Sequence, residues 1–163
     1  MDVGYLKLKI DIRTEYEEYR SKYNYARKEL KRAEVKKIFE GFKDFFRNDG
    51  NFKFKSNDHS ITAEYKNYGV TLDVDIYKNT ERDDFAIEGI IKTYDKEVYE
   101  FTAEGIPNKE IHEAPYVDDN EKLINETNFL KAFLDGTITY TFRYKVKGRE
   151  TSYGTMQEMM LAL

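Results

Sequence analysis

The chain has 163 residues, enough for one domain of ordinary size with a substantial core, and it reads as a single domain over 1–163. Charged residues make up 36% and apolar residues 40%, and 14 tyrosines and 11 phenylalanines supply enough buriable surface that the charge reads as a solvated exterior, not as disorder. The lack of cysteine excludes disulfides, thiol nucleophiles and cysteine-ligated zinc or iron–sulfur sites; no stretch approaches the roughly 18 uncharged apolar residues of a membrane span, so the expected setting is the cytoplasm, with no membrane partner.

In GYLKLKIDIR, Leu6, Leu8, Ile10 and Ile12 alternate with Lys7, Lys9, Asp11 and Arg13, and this period of two predicts a half-buried first strand. The lysines inside that apolar run also argue against a signal peptide. Thr14 followed by Glu17 reads as a capping box opening a long helix that runs to Asn48, with Gly50 as its stop. Within it Tyr16, Tyr19, Tyr23, Ala26, Leu30 and Ala33 keep heptad spacing, then Val35, Ile38, Phe42 and Phe45 resume two residues late. That slip predicts a break, or a change of contacting surface, near Ala33.

Alternating runs follow: Phe52 and Phe54; Ile61, Ala63 and Tyr65; Val70 to Ile76; Phe85 to Ile91; and Tyr99 to Ala103. The short segments between them are rich in Asn, Asp and Gly, as hairpin connections require, and together they predict an antiparallel meander. A Pro-containing loop from Gly105 to about Val117 leads to Leu123, Ile124, Phe129, Leu130, Phe133 and Leu134, whose spacing predicts a helix ended by Gly136. TITYTFRYKV is the clearest strand, ETSYG a return strand, and TMQEMMLAL a terminal helix with Thr155 and Glu158 as its capping box.

In nearly every strand one face is apolar and the other polar. The fold class is therefore α+β: a single antiparallel sheet, a meander of about six to eight strands, packed on one face by a long N-terminal helix and shorter C-terminal helices. A long helix wrapped by a curved meander resembles the cystatin-like and NTF2-like architectures in outline. That resemblance implies a fold and, at most, a cavity for a small ligand.

Catalytic constellations fail one after another. Tyr116 to Asp119 spells Tyr-x-Asp-Asp, which in a polymerase sits on a hairpin holding magnesium; here Asp118 with Glu121 reads as a helix cap, and the only further pair, Asp73 with Asp75, comes with no intervening palm helix. His59 lies between Asp58 and Ser60 in a turn, where sequence neighbours seldom point at one another. Glu110, His112, Glu113, Asp118 and Asp119 meet no metal-binding spacing, and the glycines form no phosphate loop. No catalytic residue, metal ligand or cofactor is assigned, and the chain reads as a non-enzyme; a metal-dependent enzyme with its site assembled from distant carboxylates is the alternative within that class.

Charge is unevenly distributed. Residues 1–50 carry 13 basic and 10 acidic side chains, whereas residues 79–119 carry 12 acidic and 4 basic. Arg27, Lys28, Lys31, Arg32, Lys36 and Lys37 make a basic stripe along the helix, the site of a nucleic-acid-binding alternative. The favoured reading is a macromolecule-binding accessory protein whose partner is another protein or a second copy, met by Tyr16, Tyr19 and Tyr23 on the charge-wrapped first half of the helix. Its Lys-, Asn-, Tyr- and Ile-rich composition resembles that of accessory proteins from AT-rich bacteria or their phages, which suggests an inhibitor or immunity-type role.

Overall fold

Asp2 starts the first helix. In the computed structural model, which describes all 163 residues, its Oδ1 accepts hydrogen bonds from the backbone N–H of Gly4 (2.9 Å) and Tyr5 (3.2 Å), and α1 runs from Val3 to Arg47 without interruption. The expected strand over residues 4–13 is thus helical, and Thr14 lies inside the helix instead of capping it. The alternation misled because Leu, Lys and Arg are all good helix formers. In a helix the same residues fall into two stripes, Val3, Leu6 and Ile10 on one side and Tyr5, Leu8 and Ile12 on the other. The helix does not break at Ala33.

Seven strands follow in one antiparallel sheet whose spatial order is the chain order: β1 (Lys53–Ser56), β2 (Ser60–Tyr65), β3 (Tyr68–Asp73), β4 (Ala86–Lys92), β5 (Val98–Pro107), β6 (Tyr140–Val146) and β7 (Ser152–Tyr153). Three short elements interrupt the meander or close it: α2 (Ile76–Glu81), α3 (Asp119–Leu134) and α4 (Met156–Leu161). Ile76, expected at the end of a strand, instead opens α2, because Asp75 accepts a hydrogen bond from the N–H of Lys78 (3.0 Å) and caps a helical turn where the run of polar residues read as a loop. The other anticipated caps are present. Asp118 accepts from the N–H of Glu121 (2.9 Å), Thr155 from that of Glu158 (3.2 Å), and Gly136, at φ +85°, takes the left-handed conformation that lets the chain leave α3.

The chain divides into two compact units, Met1–Arg27 with Pro107–Tyr140, and Lys28–Ile106 with Thr141–Leu163. In the larger unit the sheet presents an inward row in register, Ile61 opposite Leu72 and Leu72 opposite Ile91, while Thr62 opposite Thr71 and Thr71 opposite Lys92 occupy the wet face. Val35, Ile38, Phe42 and Phe46 of α1 and Met156, Met159 and Met160 of α4 cover the apolar face, all within one continuous hydrophobic core. Gly89 lies opposite Phe101, and a Cβ there would come within 2.6 Å of two atoms of that ring.

This core also holds polar groups, each with a partner. The Tyr144 hydroxyl donates to the Glu34 carboxylate, both side chains being buried. Burial pushes the Tyr144 phenol well above its usual range, and the Glu34 hydrogen bond and charge reinforce the shift. Lys31, wholly buried, pairs with Asp84 at 3.3 Å, and Lys28 with Glu81 at 3.2 Å. Burial acts to raise the Asp84 carboxyl, but it is outweighed by hydrogen bonds from Arg82 and from the Ala86 N–H and by the charges of Lys31 and Arg82, which hold it below the ordinary carboxylate range.

Candidate binding cleft

The smaller unit is built on two helical segments and a loop. Tyr23 packs edge-on against Phe129 (6.1 Å between ring centres) and Phe133 (5.1 Å) of α3, and Phe133 in turn meets Tyr140 (6.0 Å). Burial beside the Tyr23 phenol pushes Tyr140 up to about 12. Lys131 pairs with Glu15, and Asn120 donates to the Tyr5 hydroxyl (3.4 Å), so α3 is tied along the first half of α1. The loop from residue 108 to 118 is anchored at both ends. Asn108 exchanges backbone and side-chain hydrogen bonds with Thr137 and Thr139, and the Val117 N–H donates to Glu121 while Asn125 reaches the Pro115 carbonyl at 3.5 Å.

Between these parts lies a cleft of about 320 Å³. Tyr16 and Arg20 of α1, Phe129 and Leu130 of α3, and Ile111 and Tyr116 of the loop are among the residues that line it. Arg20 lies over the Tyr23 ring (5.4 Å) and Lys122 over the Tyr116 ring (5.6 Å). Tyr16 is half-buried in the cleft wall.

The three tyrosines singled out from the sequence therefore have different surroundings. Tyr16 lines the cleft; Tyr19 is half-buried under the ammonium groups of Lys22 (5.2 Å) and Lys131 (4.9 Å); Tyr23 is 5% exposed, packed edge-on with the rings of α3 and with Arg20 over its own ring. The basic stripe is likewise divided: Arg27 and Lys31 are buried, Lys28 is half-buried beside Glu81, Arg32 pairs with Glu29, and Lys36 and Lys37 are exposed.

The residues weighed for catalysis are dispersed among structural tasks. The His59 Nδ1 faces the N–H of Ile76 at 3.5 Å at the start of α2, and the neighbouring Ser60 hydroxyl donates to Asn57. Asp73 pairs with Lys92 at 3.7 Å, while Asp75 caps α2. His112 lies 3.0 Å from Glu110 on the exposed loop, and no three His, Asp or Glu side chains converge on a common point. Tyr116 to Asp119 stand at the entrance of α3, with no strand on either side.

Sequence reasoning placed Tyr16 among binding residues but missed Ile111, Tyr116, Phe129 and Leu130 as its companions. The available signal was the apolar content of an otherwise polar loop, where Ile111, Tyr116 and Val117 have no strand or helix to bury them. The chain matches no protein-family model, no curated protein and no solved structure.

Proposed function

We propose that this chain is a non-catalytic protein-binding protein, and that the smaller unit carries its docking surface. One observation supports the reading above others: eleven of the eighteen exposed large apolar side chains belong to that unit, among them Val3, Tyr5, Leu6, Leu8 and Ile10 of α1 and Ile111 and Tyr116 of the cleft. Exposed apolar side chains concentrated in one unit are costly in a monomer and point to that unit as the place of contact. An inhibitor or immunity-type role is consistent with such a surface. The nucleic-acid reading draws less support, since two of its six cations are buried and two more are engaged by carboxylates.

The test is site-specific photocrosslinking in the native cell, with the photoreactive residue placed at Leu8, at Ile124, or at Tyr94 of the larger unit, all of them exposed. A discrete protein adduct from Leu8 and Ile124, absent from Tyr94, is the expected result. Adducts to nucleic acid, or equal yields from all three positions, would overturn the proposal.

A further inference from the structure

The charge around the cleft says more about what enters it. The loop and first turns of α3, residues 107–126, carry six carboxylates, Glu110, Glu113, Asp118, Asp119, Glu121 and Glu126, against two lysines, Lys109 and Lys122. Three of the six have partners: Glu110 sits beside His112, Asp118 caps α3, and Glu121 accepts from the Val117 N–H. Glu113, Asp119 and Glu126 have neither an ion pair nor a hydrogen bond within the chain, and Glu113 and Glu126 line the cleft itself.

The cleft's own cations do not pair with them. Lys122 stands one helical turn from Glu126, the spacing at which opposite charges pair, yet it lies over the Tyr116 ring. Arg20 lies over Tyr23. The carboxylates remain unpaired, and over this segment together with Arg20 six negative charges stand against three positive ones, so the field around the cleft favours an incoming positive charge. The apolar part of the lining asks for something different. Tyr16, Phe129, Leu130 and Ile111 offer apolar surface, and about 320 Å³ is at the lower limit for ligand pockets, room for one or two bulky side chains.

We infer that the cleft binds a basic peptide segment of a partner protein, with a Leu, Phe or Trp anchor seated against Tyr16 and Phe129 and flanking Lys or Arg side chains meeting Glu113, Glu126 and Asp119. This rests on the docking surface proposed above and specifies the chemistry of its partner.

The experiment selects binders from a phage-displayed library of random 12-residue peptides on the full-length protein, then measures a synthetic consensus peptide by fluorescence anisotropy. Two variants serve as controls, both first checked for unchanged melting: Glu113→Lys with Glu126→Lys, which reverses the rim, and Ile111→Arg, which fills the cleft from an exposed loop position. The expected consensus combines an aromatic or Leu residue with at least two basic ones. Its affinity falls about tenfold or more in either variant and weakens steeply with salt. Acidic or uncharged peptides whose binding is lost in Ile111→Arg would overturn the basic-segment assignment while leaving the cleft as a docking site. Peptides indifferent to both variants, or no enrichment over an unrelated protein, would overturn the assignment and the docking reading together.

Discussion

The two units spend their apolar residues in opposite ways. In the larger one, the sheet, the second half of α1 and α4 close around a single core in which Ile38, Phe42, Ala63 and Leu72 are fully buried. The smaller one has a thin interior, centred on Tyr23, Leu130 and the rings around them, and leaves Val3, Leu8 and Val117 in solvent. One helix serves both units, and the change comes at Arg27 and Lys28. Stability is therefore expected to reside in one region and recognition in the other, since surfaces kept for contact are drawn from the less tightly packed part of a molecule.

The sharpest way to break that contrast is Phe42→Ala, which removes a fully buried ring packed edge-on to Phe46 (5.1 Å). It should cost about 3 to 5 kcal/mol, seen as a large fall in the chemical-denaturation midpoint. Tyr23→Ala should cost less, about 2 to 3 kcal/mol, because its surroundings are thinner and relax more readily. Hydrogen exchange should show the loss concentrated in α3 and not in β2 to β4. Equal loosening of both would mean that the units do not differ in cooperativity.

Polar contacts within the larger core should have smaller effects. Tyr144→Phe leaves the buried Glu34 carboxylate without its phenolic donor and should destabilise by about 1 to 2 kcal/mol, with Glu34→Gln restoring part of the loss in the double variant. Asp84 sets an acid limit. Its folded-state carboxyl lies below the unfolded value, so its contribution is fully present above the unfolded pKa of about 4 and is lost as pH falls through the folded one. With the side chain about half exposed, screening keeps that contribution under about 1 kcal/mol; in Asp84→Asn the stability profile below pH 4 should be correspondingly flatter. The smallest effect belongs to Leu6→Ser with Ile10→Ser, two exposed positions whose loss should move stability by no more than about 0.5 kcal/mol. A large fall there would show that this stripe of α1 is covered in solution.

Most of the sheet was legible because its strands alternate cleanly, as Phe142, Tyr144 and Val146 do against Thr141, Arg143 and Lys145, and one face is covered. The same rule failed on residues 4–13, where Leu6, Leu8 and Ile10 are exposed in a helix; periodicity reports structure only when burial enforces it. The two-residue slip after Ala33 marks no break in the helix, and the change of surroundings comes before it, at Arg27 and Lys28, so that Leu30 already packs against the larger core. Burial of Arg27 and Lys31 was invisible locally, since what surrounds such long side chains, Asp84 beside Lys31 for one, is set by tertiary structure. The cleft was invisible for the same reason: its walls come from segments about a hundred residues apart.

That separation also sets a schedule during synthesis. Each hairpin of the sheet can close soon after it leaves the ribosome, because every strand pairs with its sequence neighbours. Glu15 must wait for Lys131, 116 residues later, which at ordinary translation rates is on the order of ten seconds. For that interval Tyr16 and Tyr23 stand on a nascent segment without α3 beside it, open to a chaperone or to another emerging copy. Tyr23 is made long before the α3 rings that enclose it.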